Sequence, residues 1–181
     1  MRLRRRALFV AFIVAITSLR AYAQSSKDGS FRGKTFTDSY FKIAFDLPPF
    51  LNPQPVNSLS IHASETLDAW PMAVGREGSE SYGIVVISQR LKPGKFSSSQ
   101  DYLQIVRNSR SQGDVIAGSG HKLNAYGLTF DWLDWKAGHE YNSAVITQRG
   151  DYLIVARCNA KSDEELKLMK NALVGMRITS W

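Results

Sequence analysis

Two stretches, YGIVVISQRL at residues 82 to 91 and YLIVA at residues 152 to 156, are apolar on both of the faces a strand presents, and nothing else in the chain limits its fold so strongly. Side chains alternate along a strand, so Ile84 and Val86 share one face while Val85 and Ile87 share the other. Such strands belong in the middle of a sheet, covered on both sides. Other parts of the chain must supply the covers.

Two helices are legible. SSSQDYLQIVRNSRSQG, residues 97 to 113, opens on serines, sets Asp101 three residues after Ser98 and stops at Gly113, which satisfies the unpaired groups at a helix's ends. KSDEELKLMKNALVGM pairs Ser162 with Glu165 as a capping box and repeats Leu166, Met169, Leu173 and Met176 at helical spacing. That stripe reads as core packing rather than a cofactor site.

The remaining pattern is that of strands and tight turns. YFKIAFDL, residues 40 to 47, alternates Phe41, Ile43, Phe45 and Leu47 with a wetter face, and PPFLNPQP stops it. Prolines crowd the segment after it, so residues 48 to 70 read as an irregular excursion with one short helix near Leu59 to Leu67. PMAVGRE and YGIVVISQRL form a hairpin about GSES; KAGHE joins FDWLDW to YNSAVI, and RGD joins SAVITQ to YLIVA. Short turns dictate antiparallel pairing. The expected fold is α+β, one antiparallel sheet of about six or seven strands with helices on both faces, an α/β/α sandwich.

The chain opens with Arg2, Arg4, Arg5 and Arg6, an apolar run from Ala7 to Leu19 and then Ala21-Tyr22-Ala23, the layout of a secretory signal peptide over residues 1 to 23. The apolar run is too short for an uncleaved spanning helix, which needs roughly 18 to 20 residues. The order Leu8-Phe9 after Arg5-Arg6 favours ordinary export over the twin-arginine route, and the lack of a nearby cysteine excludes a lipoprotein. Residues 24 to 35 read as a flexible lead-in and residues 36 to 181 as a single domain; the part after the leader, residues 24 to 181, is long enough to bury about 70% of the surface its unfolded chain exposes. The leader holds five arginines and no acid, and so accounts for five of the seven net positive charges. What remains is near neutral and scattered, which argues against a nucleic-acid partner. Cys158 has no second cysteine to pair with and ends an apolar run, so it reads as a buried thiol.

SYFKIAFDLPPF resembles the opening of the PsbP-like superfamily, in which an aromatic-rich strand of the type Tyr-Gly-Phe-x-Phe leads into a proline and a tryptophan. The close, VITQRGDYLIVARCNAKSDEELKLMKNALVGMRI, is similar to that superfamily's final strand pair, polar helix start and short last strand. Lys42 stands where the superfamily prefers glycine and Phe50 where it prefers tryptophan. The resemblance, which includes periplasmic proteins of the DcrB type, covers most of residues 36 to 178 and implies an α/β/α sandwich acting as a binding or assembly module. It supplies no catalytic residue.

The most suggestive local chemistry is FDWLDWK, residues 130 to 136, which sets Asp131 and Asp134 among Phe130, Trp132 and Trp135. On a helix the two carboxylates would lie about 5 to 6 Å apart, the spacing of a retaining glycosidase pair. The aromatic content and the flanking Gly127 and Gly138 favour a strand, on which they point to opposite faces roughly 10 Å apart. One of the aromatic faces is then core, and either Trp132 or Trp135 is left as a stacking surface for a ligand or partner. Ser119 and His121 in AGSGH invite a nucleophile story, but the pattern G-x-S-x-G is not met and the segment reads as a loop between helix and strand. GSFRGKT at residues 29 to 35 is a near miss to a phosphate-binding loop. Arg149-Gly150-Asp151 reads as hairpin chemistry rather than an adhesion tripeptide. His62, His121 and His139 never reach metal-ligand spacing, so no metal and no cofactor is expected.

The expected function is an exported, most simply periplasmic, non-enzymatic binding or assembly-supporting module. It would be a monomer or weak oligomer, meeting a protein partner or small ligand through the loops at residues 48 to 70 and the hairpin at residues 126 to 141. The alternatives are a hydrolase using Asp131 and Asp134 or Ser119 and His121, and a metal-binding module.

Overall fold

The computed structural model describes residues 29 to 54, 69 to 78, 82 to 92 and 94 to 180. In chain order its elements are β1 (Ser30–Arg32), β2 (Thr35–Asp38), β3 (Ile43–Asp46), β4 (Asn52–Gln54), β5 (Ala69–Arg76), β6 (Gly83–Arg90), α1 (Ser99–Asn108), β7 (Val115–Leu123), β8 (Thr129–Ala137), β9 (Glu140–Arg149), β10 (Tyr152–Ala160), α2 (Asp163–Val174) and β11 (Arg177–Ile178). Seven strands form one sheet in the order β4-β5-β6-β10-β9-β8-β7, and four form a second in the order β1-β2-β3-β11. Every pairing among the described residues is antiparallel, so the chain is an α+β protein built on antiparallel sheets.

The two doubly apolar strands, β6 and β10, are neighbours near the middle of the large sheet. Their alternate residues enter different clusters. Ile154, Ala156 and Cys158 pack with Val145, Phe130 and the α2 residues Leu166, Met169 and Leu173. Leu153 and Val155 pack with Ala144, Ile146, Leu133 and the α1 residues Leu103 and Val106. The α2 helix thus buries the stripe its sequence pattern announced, and burial of this kind stabilises by about 1.5–3 kcal/mol per large apolar side chain.

Both helix starts are capped as expected. Ser98 Oγ accepts from Asp101 N at 3.1 Å, and Ser162 Oγ accepts from Glu165 N at 3.2 Å. The α1 helix ends at Asn108, short of Gly113, because Ser109 and Arg110 already turn back on the carbonyl of Val106.

Three expectations are corrected. The first strand does not join the large sheet: β3 lies between β2 and β11 in a second sheet, whose Phe36, Ile43 and Phe45 enter the same cluster as α2. Period-2 alternation reports a buried face but not which sheet owns it. The lead-in is part strand, since residues 30 to 32 form β1 and Thr35 begins β2. The segment AGSGH lies inside β7 rather than in a loop. As an edge strand paired, among the described residues, with β8 alone, it lacks the apolar alternation by which strands are read. The expected signal peptide and the short helix near residues 59 to 67 lie outside the described residues.

Lys42 has φ 52, the only positive φ of a non-glycine residue among the described residues. The PsbP-like pattern wants glycine there because a Cβ in the left-handed region crowds its own backbone. Lys42→Gly is therefore expected to raise stability by about 0.5–1 kcal/mol, the relief of strain exceeding glycine's extra chain entropy. Urea unfolding checks this, and a loss of stability would contradict it. The last strand is held close by: Thr179 N donates to Lys42 O at 2.9 Å, and Arg177 Nη1 donates to Asp46 at 2.9 Å. The Arg177 guanidinium and the Thr35 hydroxyl hold the Asp46 carboxyl below its usual range.

Candidate functional site

FDWLDWK is strand, and its register fixes what each side chain meets. Phe130 and Trp132 belong with the α2 cluster, whereas Leu133 and Trp135 belong with the α1 cluster. Asp131 and Asp134 leave the two faces in the same alternation, so they cannot act together on one bond.

Each carboxylate is spent on structure. Asp131, 4% exposed, lies beneath the first turn of α1. It accepts from Ser99 Oγ, from Gln100 Nε2 at 2.6 Å and from His121 Nδ1 at 2.7 Å. The register places His121 directly across from Asp131. A negative charge at a helix N-terminus is also favoured by the helix dipole. On the other face Asp134 accepts from Lys170 Nζ at 2.5 Å, and that ammonium stands 5.0 Å from the centre of the Trp132 ring. Gly120, paired with Trp132, provides the indole's seat: a Cβ there would come within 2.1 Å of Trp132 Cζ2. Trp132 is half-buried and Trp135 is buried, so neither is an open stacking platform.

His121 and Asp131 make a dyad of the kind that serves a serine nucleophile. Ser119 stands two residues from His121 on β7, and both line a cleft of about 310 Å³ between α1 and the sheet edge, with Gln100, Gln104 and Arg107. No hydrogen bond joins Ser119 to His121 among the described residues, and the side chain of His121 is 65% exposed. His139 is exposed in the turn between β8 and β9, and His62 lies outside the described residues. Among the described residues no three His, Cys, Asp or Glu side chains gather to hold a metal ion. Cys158 is fully buried against Ile84 and Met169 in the α2 cluster, and desolvation pushes its thiol up to about 12. At neutral pH it stays a thiol and is a poor nucleophile.

The more distinctive site is one that linear reading missed. The pairings Arg76 with Gly83, Gly83 with Asn159, Asn159 with Asn142 and Asn142 with Trp135 run straight across five strands. Paired residues share a face, so this is one continuous row. Arg157 stands in the next row of the same face, paired with Val85 and Ala144. These residues line a cleft of about 300 Å³. Gly83 lets the β6 backbone close up on β5 at the cleft, and no side chain fits there, because a Cβ would stand 2.0 Å from Gly75 O. From the end of α1, Arg110 lays its guanidinium 4.2 Å from the centre of the Trp135 ring, and Arg157 lies 5.9 Å from the same ring. Arg110 is placed by Val106 O at 3.0 Å and Ser109 Oγ at 3.1 Å. Its pKa is lowered by burial and then by the neighbouring charge of Arg157.

Trp135 was a sequence candidate, and it lines this cleft; Trp132 and the two aspartates do not. The arginines come from β5, the end of α1 and β10, and no linear spacing relates them.

No family model and no curated protein matches the chain. Among solved structures it is similar to cyanobacterial PsbP (CyanoP) from Synechocystis sp. PCC 6803, with a TM-score of 0.55 and 16% sequence identity over 81% of this chain and 92% of that one. Identity this low speaks for architecture alone, and on that ground the chain has a PsbP-like fold.

Proposed function

We propose that this chain is an exported, non-enzymatic binding module of the PsbP type, with its ligand seat in the cleft beside Trp135. The observation that carries the reading is the cleft itself: a concavity of about 300 Å³ that joins an indole and aliphatic floor to arginine and amide side chains. Binding sites for small molecules have this mixture of apolar lining and a few placed polar groups. We infer the full layering from the two clusters, with α1 against one face of the large sheet and α2 with the small sheet against the other. In that arrangement α1 lies mainly over β8 and β9, which leaves the end of the face that carries Gly83, Arg157 and Asn159 for a ligand. The basic, apolar leader with Ala21-Tyr22-Ala23 supports export.

Native mass spectrometry of the tagged protein, recovered from the compartment it occupies, tests the reading. The expected result is a chain beginning at Gln24 that carries a small-molecule adduct, released on denaturation. A chain that starts at Met1, or a mass with no adduct, would count against it. The Ser119 and His121 alternative predicts something different: release of p-nitrophenol from simple esters, abolished by Ser119→Ala.

A further inference from the structure

We propose that the cleft beside Trp135 takes an oxyanion group, a carboxylate or a phosphate, carried by a small organic ligand. This rests on the cleft being a ligand seat and adds the chemistry of what sits there. Arg76 and Arg157 are brought to one face by strand register, and Arg110 is brought to the same indole from the end of α1. Among the described residues no acid forms an ion pair with any of the three.

The arginines differ in what already holds them. Arg110 has its pose over Trp135 accounted for by the carbonyl and hydroxyl that it caps. Arg157 has the ring: no hydrogen bond from its guanidinium is formed among the described residues, so its forked donors are unengaged by them. Two guanidinium groups over one indole repel each other, and that repulsion is part of what lowers the Arg110 pKa. Holding two half-buried like charges side by side without a counter-charge has a cost, and an anion beside them turns the cost into an attraction.

The nearby acids do not supply that counter-charge. Glu77 is engaged with Lys161 at 3.2 Å, and Glu140 accepts from the Asn159 amide at 3.2 Å. Asp114 acts on Arg110 from a distance without pairing with it. A planar guanidinium matches a carboxylate or phosphate with two parallel hydrogen bonds, which an ammonium cannot do. The Asn142 side chain, at the cleft wall between Trp135 and Asn159, is placed to read the rest of the molecule.

The test is a titration of the purified protein with benzoate, inorganic phosphate and the neutral benzamide, followed by proton–nitrogen correlation spectra. The expected result is a saturable shift of the Trp135 indole N–H and the Arg110 and Arg157 Nε–H signals with benzoate or with phosphate, and none with benzamide. Which anion saturates at lower concentration tells a carboxylate from a phosphate. Arg157→Gln is expected to weaken binding about tenfold while melting within a few degrees of the wild type. Absence of a saturable shift with both anions overturns the proposal on the wild-type protein alone, whatever the variant does. Undiminished binding by a folded Arg157→Gln protein overturns it too. Equal binding of benzamide would sink the oxyanion while leaving the cleft a ligand seat. Anion binding by a protein recovered without an adduct would support the oxyanion seat and count only against a resident ligand that survives purification.

Discussion

Phe45→Ala is expected to lower the free energy of unfolding by about 3–5 kcal/mol, a large part of the 5–15 kcal/mol that holds a typical domain together. Phe45 is on β3 of the four-stranded sheet and has no exposure to solvent. Its ring lies 5.2 Å from that of Phe36, and the two belong to the cluster that also holds Met169 of α2, Val145 of β9 and Ile154 of β10. Truncation removes the transfer energy of the ring and leaves a hole in a cluster shared by both sheets and α2, which can collapse only partially. Because the hole is shared, the loss should be global. In urea the midpoint followed by tryptophan fluorescence should fall with no change of slope, and amide exchange in β10 should accelerate together with that in β3. A variant whose β1, β2 and β3 amides exchange faster while β10 keeps full protection would show the small sheet to be a separate cooperative unit. The shared core would then be refuted.

Asp131→Ala should cost about 2–4 kcal/mol, nearly as much from a side chain with far less apolar surface. Three donors converge on this one carboxylate: Ser99 and Gln100 from the first turn of α1, and His121 from the edge strand β7. It is the common tie between the helix, the sheet edge and β8. Alanine removes the acceptor of all three at once; Gln100 and His121 are exposed and turn to water, so the loss is that of three hydrogen bonds to a charged group. Asp131→Asn keeps the shape but loses the charge and sets an amide N–H₂ against donors, so an intermediate loss is expected. Asp134→Ala makes the useful contrast. Its pair with Lys170 is partly exposed, and breaking it should cost less than losing Asp131. Chemical denaturation of the three variants side by side checks the order. A loss at Asp134 equal to or greater than that at Asp131 would contradict this account of the site.

These two residues illustrate how far linear reading reaches. Phe45 could be placed in the core because its neighbours alternate, and α2 could be drawn to its first residue because Ser162 and Glu165 satisfy end groups within a single turn. Such signals are local, carried by side chains a few residues apart. The strand character of FDWLDWK was legible in the same way, and with it the parting of Asp131 from Asp134. What Asp131 does was not legible, because its partners come from α1 and β7 and meet it only once β7 has paired with β8 in one register. β7 itself went unread as a strand, since an edge strand exposed along its length has no reason to alternate. The arginine cleft was further still from view: a slip of one residue in either the β6–β10 or the β9–β10 pairing would send part of its row to the other face.

The chain by itself determined its elements and their faces: the two covered strands, the hairpins with their tight turns, the capped helices and the stripes they bury. These follow from backbone geometry and apolar periodicity, which act over a few residues. Tertiary structure alone decided that the first strands form a second sheet, that a buried aspartate ties α1 to the sheet edge, that Arg110 and Arg157 gather round Trp135 and that Arg76 lines the same cleft. Those outcomes depend on strand register and on side-chain reach between segments far apart in the chain, and no local pattern encodes either.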